Sequence, residues 1–341
     1  MAKYTINDTT LTGIADAIRA KGGTTAALTP AQMAEAIAAI QAGGGGGGDL
    51  AKQIVEGTVT EINDSTITKV RGYAFATAPV ETINLPACTQ IYGSAFLACS
   101  SLVNVSLPKC VSISASAFSG CKNLSNAVFP VCESLTSSTF YGCEKLKTAD
   151  FPVCSVVGTG AFNRCYSLET VSFPACTEIA NSAFMACSTL TNAIFPKCVS
   201  IGSGGFSGCS SLRTISFPLC TNIGSAAFQN CRSLESANFP LCVSIFTNTF
   251  IGCSKLSLAS LMACVSISTQ AFASCSMLAT LILDGSSLCT LASTMAFNKT
   301  KIASGTGRIL VKSSLVDVYR SATNWATYSA QISAIEDSEF A

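Results

Sequence analysis

A parallel β-solenoid is the fold this sequence predicts, and three periodic features predict it. Cysteine recurs every 22 residues from Cys88 through Cys110 and Cys132 to Cys264. A second cysteine series follows 11 residues behind, from Cys99 through Cys121 to Cys275, and phenylalanine keeps the same interval from Phe96 through Phe118 to Phe272. The unit reads C-x-x-I-x-x-x-A-F-x-x-C-x-x-L-x-x-V-x-F/L-P-x. A period held through nine copies without slippage implies stacked coils, each too small to bury a core alone.

Composition excludes several function classes. The net charge is +1 with 11% charged residues and no basic run, which argues against nucleic acid as a partner. No window approaches 18 consecutive apolar residues, so no membrane insertion is expected. Met1 to Arg19 lacks the layout of a secretory signal, and the chain is expected to be made and held in the cytosol until a route other than general export releases it. Histidine is absent, which removes the commonest general base and zinc nitrogen ligand. The acids Glu133, Asp150, Glu169, Glu178 and Glu235 are scattered, and no nucleophile–base pair is present. We therefore expect no catalytic residues, no cofactor and no enzyme activity.

The 19 cysteines are the obvious place to look for chemistry. Zinc sites space their cysteines two to four apart, whereas the closest spacing here is 11, so no metal site is expected. Equivalent cysteines of stacked coils come within bridging distance, yet a ladder points its side chains the same way and an odd total cannot pair completely. The expectation is reduced thiols acting as small buried hydrophobes at two tight corners, each making a weak bond to nearby backbone.

In chain order, residues 1–42 form a helical hairpin expected to serve as an attachment module. Leu11, Ile14, Ala15 and Ile18 make one amphipathic stripe. Thr29 and Gln32 are spaced as a capping box, Pro30 takes the first helical position, and Ile37 and Ile40 follow on the apolar face. Two short helices are a poor domain alone. Leu11, Ile14, Ile18, Ile37 and Ile40 are the expected contacts to self or other chains. Residues 43–48 are six glycines, a flexible linker with a reach of roughly 12–15 Å. Residues 49–75 read as an N-terminal cap and degenerate first coil, 76–300 as the solenoid, and 301–341 as a C-terminal cap. That cap holds a strand at Ile309 to Val311, a helix from Ser314, and the single tryptophan, Trp325, as a lid over the open core.

Within one coil, Leu102-x-x-Val105-x-Leu107-x-x-Cys110 matches the leucine-rich-repeat pattern. The segment around Val103 to Leu107 is the strand, and Pro108 follows where a missing donor costs no ladder bond. Ile113 marks a second short extended piece, and Ala117, Phe118 and Cys121 are spaced as one helical turn. Strands stacked at about 4.7–4.9 Å would build one continuous sheet along a face. Counting Phe75 and Phe297 with the nine regular copies gives 11 coils.

The apolar positions repeat, but the outward strand positions do not. They read Ser106, Val128, Asp150, Ser172, Ile194, Ser216 and Asn238 in one column, and Val103, Ser125, Lys147, Glu169, Thr191, Arg213 and Glu235 in another. Simple drift of exposed positions accounts for this variation. The sharper reading makes the sheet face a ligand-binding surface, with Lys147, Asp150, Glu169, Ser172, Ile194, Arg213, Ser216, Glu235 and Asn238 as its candidates. Tyr92, Tyr141, Tyr166, Phe246 and Ile251 at the corners offer a second possible face.

These motifs, from Leu102-Val105-Leu107-Pro108 through Ile113 and Ala117-Phe118 to Cys121, resemble the BspA-like leucine-rich repeats of bacteria. The resemblance covers about Ile67 to Phe297, departing in its 22-residue unit and in the cysteine after the proline. The flanks, Tyr4 to Ile40 with the glycine run and Leu315 to Trp325, are similar to segments of tail-associated proteins of phages and prophages of gut bacteria. The first resemblance implies an adhesin or surface-recognition protein, the second a tail component that binds a host-surface glycan or protein. The combined expectation is a non-enzymatic recognition protein on a virion tail. A bacterial surface adhesin is the alternative, and a thiol-redox enzyme the rival from another class.

Overall fold

The computed structural model describes residues 60–335. The helical module with Leu11, Ile14, Ile18, Ile37 and Ile40, the glycine run, and residues 49–59 of the expected N-terminal cap lie outside the described residues. Two compact units divide the chain, 1–168 and 169–341.

In the first unit, five two-residue strands stack in parallel: Lys69–Val70, Gln90–Ile91, Ser112–Ile113, Ser134–Leu135 and Val156–Val157. The register places Val70, Ile91, Ile113, Leu135 and Val157 in one buried column. Three-residue strands form another side of each coil: Glu61–Asn63, Thr82–Asn84 and Asn104–Ser106 in one sheet, Asn126–Val128 and Thr148–Asp150 in another. In the second unit the two-residue strands are Glu178–Ile179, Ser200–Ile201, Asn222–Ile223, Ser244–Ile245, Ser266–Ile267 and Thr290–Leu291. Its other sheets join Thr170–Ser172 to Asn192–Ile194, and run from Ser236–Asn238 through Leu258–Ser260, Thr280–Leu283 and Arg308–Val311 to Ile332–Ala334.

A chain of tight turns closes each coil where Ala117, Phe118 and Cys121 sit. Two residues four apart take left-handed backbone there, as at Ser94 (φ 56°) and Ala98 (φ 55°), or Ser116 (φ 57°) and Gly120 (φ 74°). The alternation turns successive N–H groups in different directions. Ala95, Leu97 and Cys99 donate back within their own coil to Tyr92, Ser94 and Phe96, while Ser94, Phe96 and Ala98 donate to the Ala115, Ala117 and Ser119 carbonyls of the next coil. Left-handed backbone costs an ordinary residue of order 1 kcal/mol or more. That cost is offset because the turn's donors are all paired, half of them across the stack.

The Phe column binds the coils through their side chains. Phe75, Phe96, Phe118, Phe140 and Phe162 stack with centroids 5.1–5.3 Å apart and planes within 9°. In the second unit Phe184, Phe206, Phe228, Phe250, Phe272 and Phe297 do the same at 5.2–5.8 Å. Offset stacking at this range adds to the burial of the rings.

Both cysteine ladders serve the backbone. In the first, each thiol donates to the carbonyl two residues ahead, as Cys154 to Val156 and Cys176 to Glu178 (both 3.2 Å). In the second, thiols reach into the preceding coil, as Cys121 to the Phe96 carbonyl (3.1 Å) and Cys209 to that of Phe184 (3.2 Å). All 19 sulfurs are buried. Burial pushes the thiols of Cys154 and Cys220 up to about 11 and those of Cys132 and Cys242 up to about 12.

The two-residue strands form one uninterrupted sheet, whereas the three-residue strands, expected to do so, do not. Asn104–Ser106 does not pair with Asn126–Val128, and residues 214–216 of the second unit form no strand. The cause lies in side-chain volume at the two inward positions of the strand. Coils before the first break combine a large centre with leucine (Ile83 with Leu85, Val105 with Leu107), and those after it combine alanine with phenylalanine (Ala127 with Phe129, Ala149 with Phe151). The two packings do not mesh at the junction, and Val105 is left half-buried where other strand centres are covered. In the second unit Ile215 and Phe217 put both large side chains in one coil. The rings beside it spread, with Phe195–Phe217 and Phe217–Phe239 both at 6.0 Å against 5.3 Å for Phe129–Phe151. Overpacking of this kind displaces backbone rather than compressing side chains.

At the C-terminal end Trp325 and Tyr319 are fully buried. The Tyr319 hydroxyl accepts from the Cys289 amide (2.8 Å), and the Trp325 indole donates to the Cys289 carbonyl (2.6 Å). Trp325 and Tyr328 pack on the Phe297 ring at 6.0 and 5.6 Å. These contacts end the ring column on aromatic groups whose polar atoms satisfy the last coil's backbone.

Two outcomes are expected. Thiols held protonated by burial stabilise the fold fully below their unfolded pKa, about 8.5, and lose that contribution as pH rises toward their folded values. Thermal melts should therefore show a falling midpoint above about pH 9, and thiol titration should find nearly all 19 cysteines in denaturant but few in the native state. The Ile215→Ala variant should relieve the crowded coil and cost well under 2 kcal/mol, whereas Ile83→Ala should cost about 2–5 kcal/mol by denaturant unfolding.

Candidate recognition surface

With the cysteines committed to backbone and core, the variable side chains lie where the strands leave them, on the outside of the three-residue strands. The centre of each such strand points inward, as Ala149 and Ala237 do, and the residues on either side point out. This follows from the two-residue alternation of a strand.

Asp150, Ser172, Ile194 and Asn238 are outer residues of such strands, Lys147, Glu169 and Glu235 immediately precede them, and Arg213 and Ser216 lie at the equivalent stretch that forms no strand. In the first unit Lys147 and Asp150 are exposed, and Asp150 stands in register with Val128, itself 52% exposed. In the second unit Glu169, Ile194, Arg213, Ser216, Glu235 and Asn238 are exposed and Ser172 is half-buried. Ser172 and Ile194 are register partners, and Asn238 pairs with Ser260. Glu235 and Arg213 occupy neighbouring coils, the Glu235 amide donating to the Arg213 carbonyl (3.0 Å). Lys147 and Asp150 thus form one local set, and the other seven belong to the second unit.

Two further columns were missed by the sequence reading. The first residue of each three-residue strand also faces out, giving Thr82 and Asn104 in one sheet, Asn126 and Thr148 in the next, and Thr170 and Asn192 in the second unit. Its signal was legible as an almost unbroken run of Thr, Asn and Ser at 22-residue spacing. Within this column Thr148 donates to Asn126 of the preceding coil (2.8 Å), and in the column of third residues Asn84 donates to Asn63 (3.0 Å). The second missed column flanks the first cysteine ladder. Val111, Val131 and Val153 in the first unit, and Val199, Leu219, Leu241, Val243, Met262 and Val265 in the second, are all 38–46% exposed. Burial of the cysteine between them forces its neighbours outward, so the turn presents an apolar edge.

The corner aromatics divide. Tyr92, Tyr166 and Phe246 are exposed, at 38–42%. Tyr141 and Ile251 are half-buried, with the Arg164 guanidinium 5.6 Å from the Tyr141 ring centroid. Charge on these surfaces is sparse and mixed, as in the exposed Lys122–Glu144 ion pair at 3.1 Å. Among the described residues no three metal-ligating side chains converge, and no helix is long and apolar enough to cross a membrane. The outer side of the strands thus presents polar side chains that do not repeat from coil to coil.

Several solved structures resemble the chain. A leucine-rich repeat protein from Bacteroides ovatus is 24% identical, with 65% of this chain and 78% of that one covered and a TM-score of 0.47. A leucine-rich repeat protein of T. pallidum is 28% identical over 45% of this chain and 77% of its own, with a TM-score of 0.42. A leucine rich cell surface protein from Faecalibacterium prausnitzii is 22% identical over 78% and 86%, with a TM-score of 0.38. No curated protein sequence matches. The sequence profile of the BspA type leucine rich repeat region matches residues 68–191 and 177–303. This chain belongs to the BspA-type leucine-rich-repeat family.

Proposed function

We propose that the chain is a non-enzymatic recognition protein of the adhesin kind, acting at a bacterial cell surface and binding a host-surface glycan or protein through the outer side of its three-residue strands. One observation carries the reading: the inward positions repeat from coil to coil, whereas the outward ones, Asp150, Ser172, Ile194 and Asn238 among them, do not. Membership of the BspA-type family supports it. Binding of this type draws on many shallow contacts, and several copies on one surface multiply a weak affinity into a strong one.

A second reading places the same surface on a phage or prophage tail. It is favoured by the separate composition of residues 1–42, the six-glycine linker, and the flanking segments that resemble tail-associated proteins. In that setting Leu11, Ile14, Ile18, Ile37 and Ile40 would join the chain to virion partners or to its own copies.

The two readings differ in what the labelled full-length protein binds. Retention on epithelial cell monolayers is the adhesin outcome, and retention on heat-killed bacterial envelopes is the tail outcome. Lys147→Ala with Asp150→Ala, and separately Arg213→Ala with Asn238→Ala, should each reduce retention at least threefold while far-UV dichroism stays unchanged. Unaltered retention in both pairs would discard the strand-side surface.

A further inference from the structure

The first cysteine ladder ends at Cys264, and the next cysteine along that side, Cys289, lies out of register with it. Cys242 and Cys264 each stand two residues before their strands, Ser244–Ile245 and Ser266–Ile267. Cys289 stands one residue before Thr290–Leu291. Ser244 pairs with Ser266 and Ser266 with Thr290, so Leu288 takes the position that continues the ladder and Cys289 the one after it.

That shift changes where the thiol points. Cys242 and Cys264 donate to the Ser244 and Ser266 carbonyls, both at 3.3 Å. Cys289 keeps only a long contact to the Thr290 carbonyl, 3.8 Å, and donates instead to the Cys264 sulfur at 3.7 Å. Cys264 is 3% exposed, whereas every other cysteine is 0% exposed. The Cys289 S–H bond pulls the Cys264 thiol below its usual range, and the same bond pushes Cys289 above it. A thiolate is the reactive form of cysteine, so the most accessible sulfur is also the most readily ionised of this pair. Second-ladder neighbours such as Cys231 and Cys253 also interact, but both are sealed in the core and burial pushes both thiols up. Cys289 is also the residue that holds the cap, through the Tyr319 hydroxyl on its amide and the Trp325 indole on its carbonyl.

We propose that Cys264 and Cys289 are a modification site, oxidised by hydrogen peroxide to a single disulfide that fixes the C-terminal cap to the preceding coil. The Cys264 thiolate attacks one peroxide oxygen, the O–O bond breaks, and the departing hydroxide takes up the thiol's proton as water, leaving a sulfenic acid. The Cys289 sulfur then attacks the Cys264 sulfur, the S–O bond breaks, and hydroxide leaves with the Cys289 proton as a second water. Two thiols and one peroxide thus become one disulfide and two waters. The bond joins residues 25 apart and so removes loop freedom from the unfolded chain. Such a bond persists outside a reducing compartment. Oxidation at this pair is independent of what the strand surface binds.

The full-length protein, fully reduced and then exposed to hydrogen peroxide, tests this. Alkylation in denaturant should find two fewer free thiols, and non-reducing peptide mapping should find a Cys264–Cys289 link, with far-UV dichroism unchanged. The thermal midpoint should rise by at least about 3 °C and fall back on addition of dithiothreitol. Cys264→Ser and Cys289→Ser should each abolish the link and the rise, whereas Cys242→Ser, within the regular ladder, should keep both. If a serine variant fails to fold, the peptide map and melt of the parent decide alone. No Cys264–Cys289 link in the parent, links between second-ladder cysteines in its place, or an unchanged midpoint in the linked protein overturns the proposal.

Discussion

Everything in this molecule depends on one constraint: a 22-residue coil cannot satisfy its own backbone or cover its own core. Half of the turn amides, such as those of Ser94, Phe96 and Ala98, find acceptors only in the next coil. The Phe rings stack on the Phe rings of neighbouring coils, and second-ladder thiols such as Cys121 bond to carbonyls of the preceding coil. Cysteine suits that corner because it is small, apolar and carries one weak donor. A larger residue would part the coils, and alanine would leave the carbonyl without the extra bond.

The same constraint explains where the regularity fails. A stack transmits volume along its axis, so a coil with the wrong pair of inward residues cannot relax sideways. Ile215 beside Phe217 spreads its neighbours, and the change from Val105 with Leu107 to Ala127 with Phe129 parts two strands. In the first unit this irregularity coincides with a groove whose lining includes Asn84, Asn104 and Asn126. Function and strain often share a location in otherwise uniform folds. The outward columns carry no such obligation to their neighbours, which leaves them able to differ from coil to coil.

Much of the architecture was legible because the period is a property of composition at fixed intervals. Phe96, Cys99, Leu102 and Ile113 announced buried columns, and Lys147, Asp150 and Asn238 announced exposed ones. The tail helix around Tyr319 and the lid role of Trp325 followed from a nonrepeating aromatic segment beyond the last coil. The φ angles within the turn at Ala117, Phe118 and Cys121 were not legible, because φ is not written in residue type when serine, alanine and asparagine all occupy the left-handed position. The apolar edge at Val131, Val153, Leu219 and Leu241 was overlooked because hydrophobic residues beside a cysteine read as core until the turn geometry points them outward.

By itself the sequence determined the coil, its period, its inward set and the absence of histidine chemistry, since these depend only on which residues recur and at what distance. Only the tertiary structure decided which strands fail to pair, that Val105 is left half-buried, and that the Cys121 thiol reaches the Phe96 carbonyl. Those features arise between coils, from the fit of one layer's volumes and donors against the next, and no single repeat contains that information.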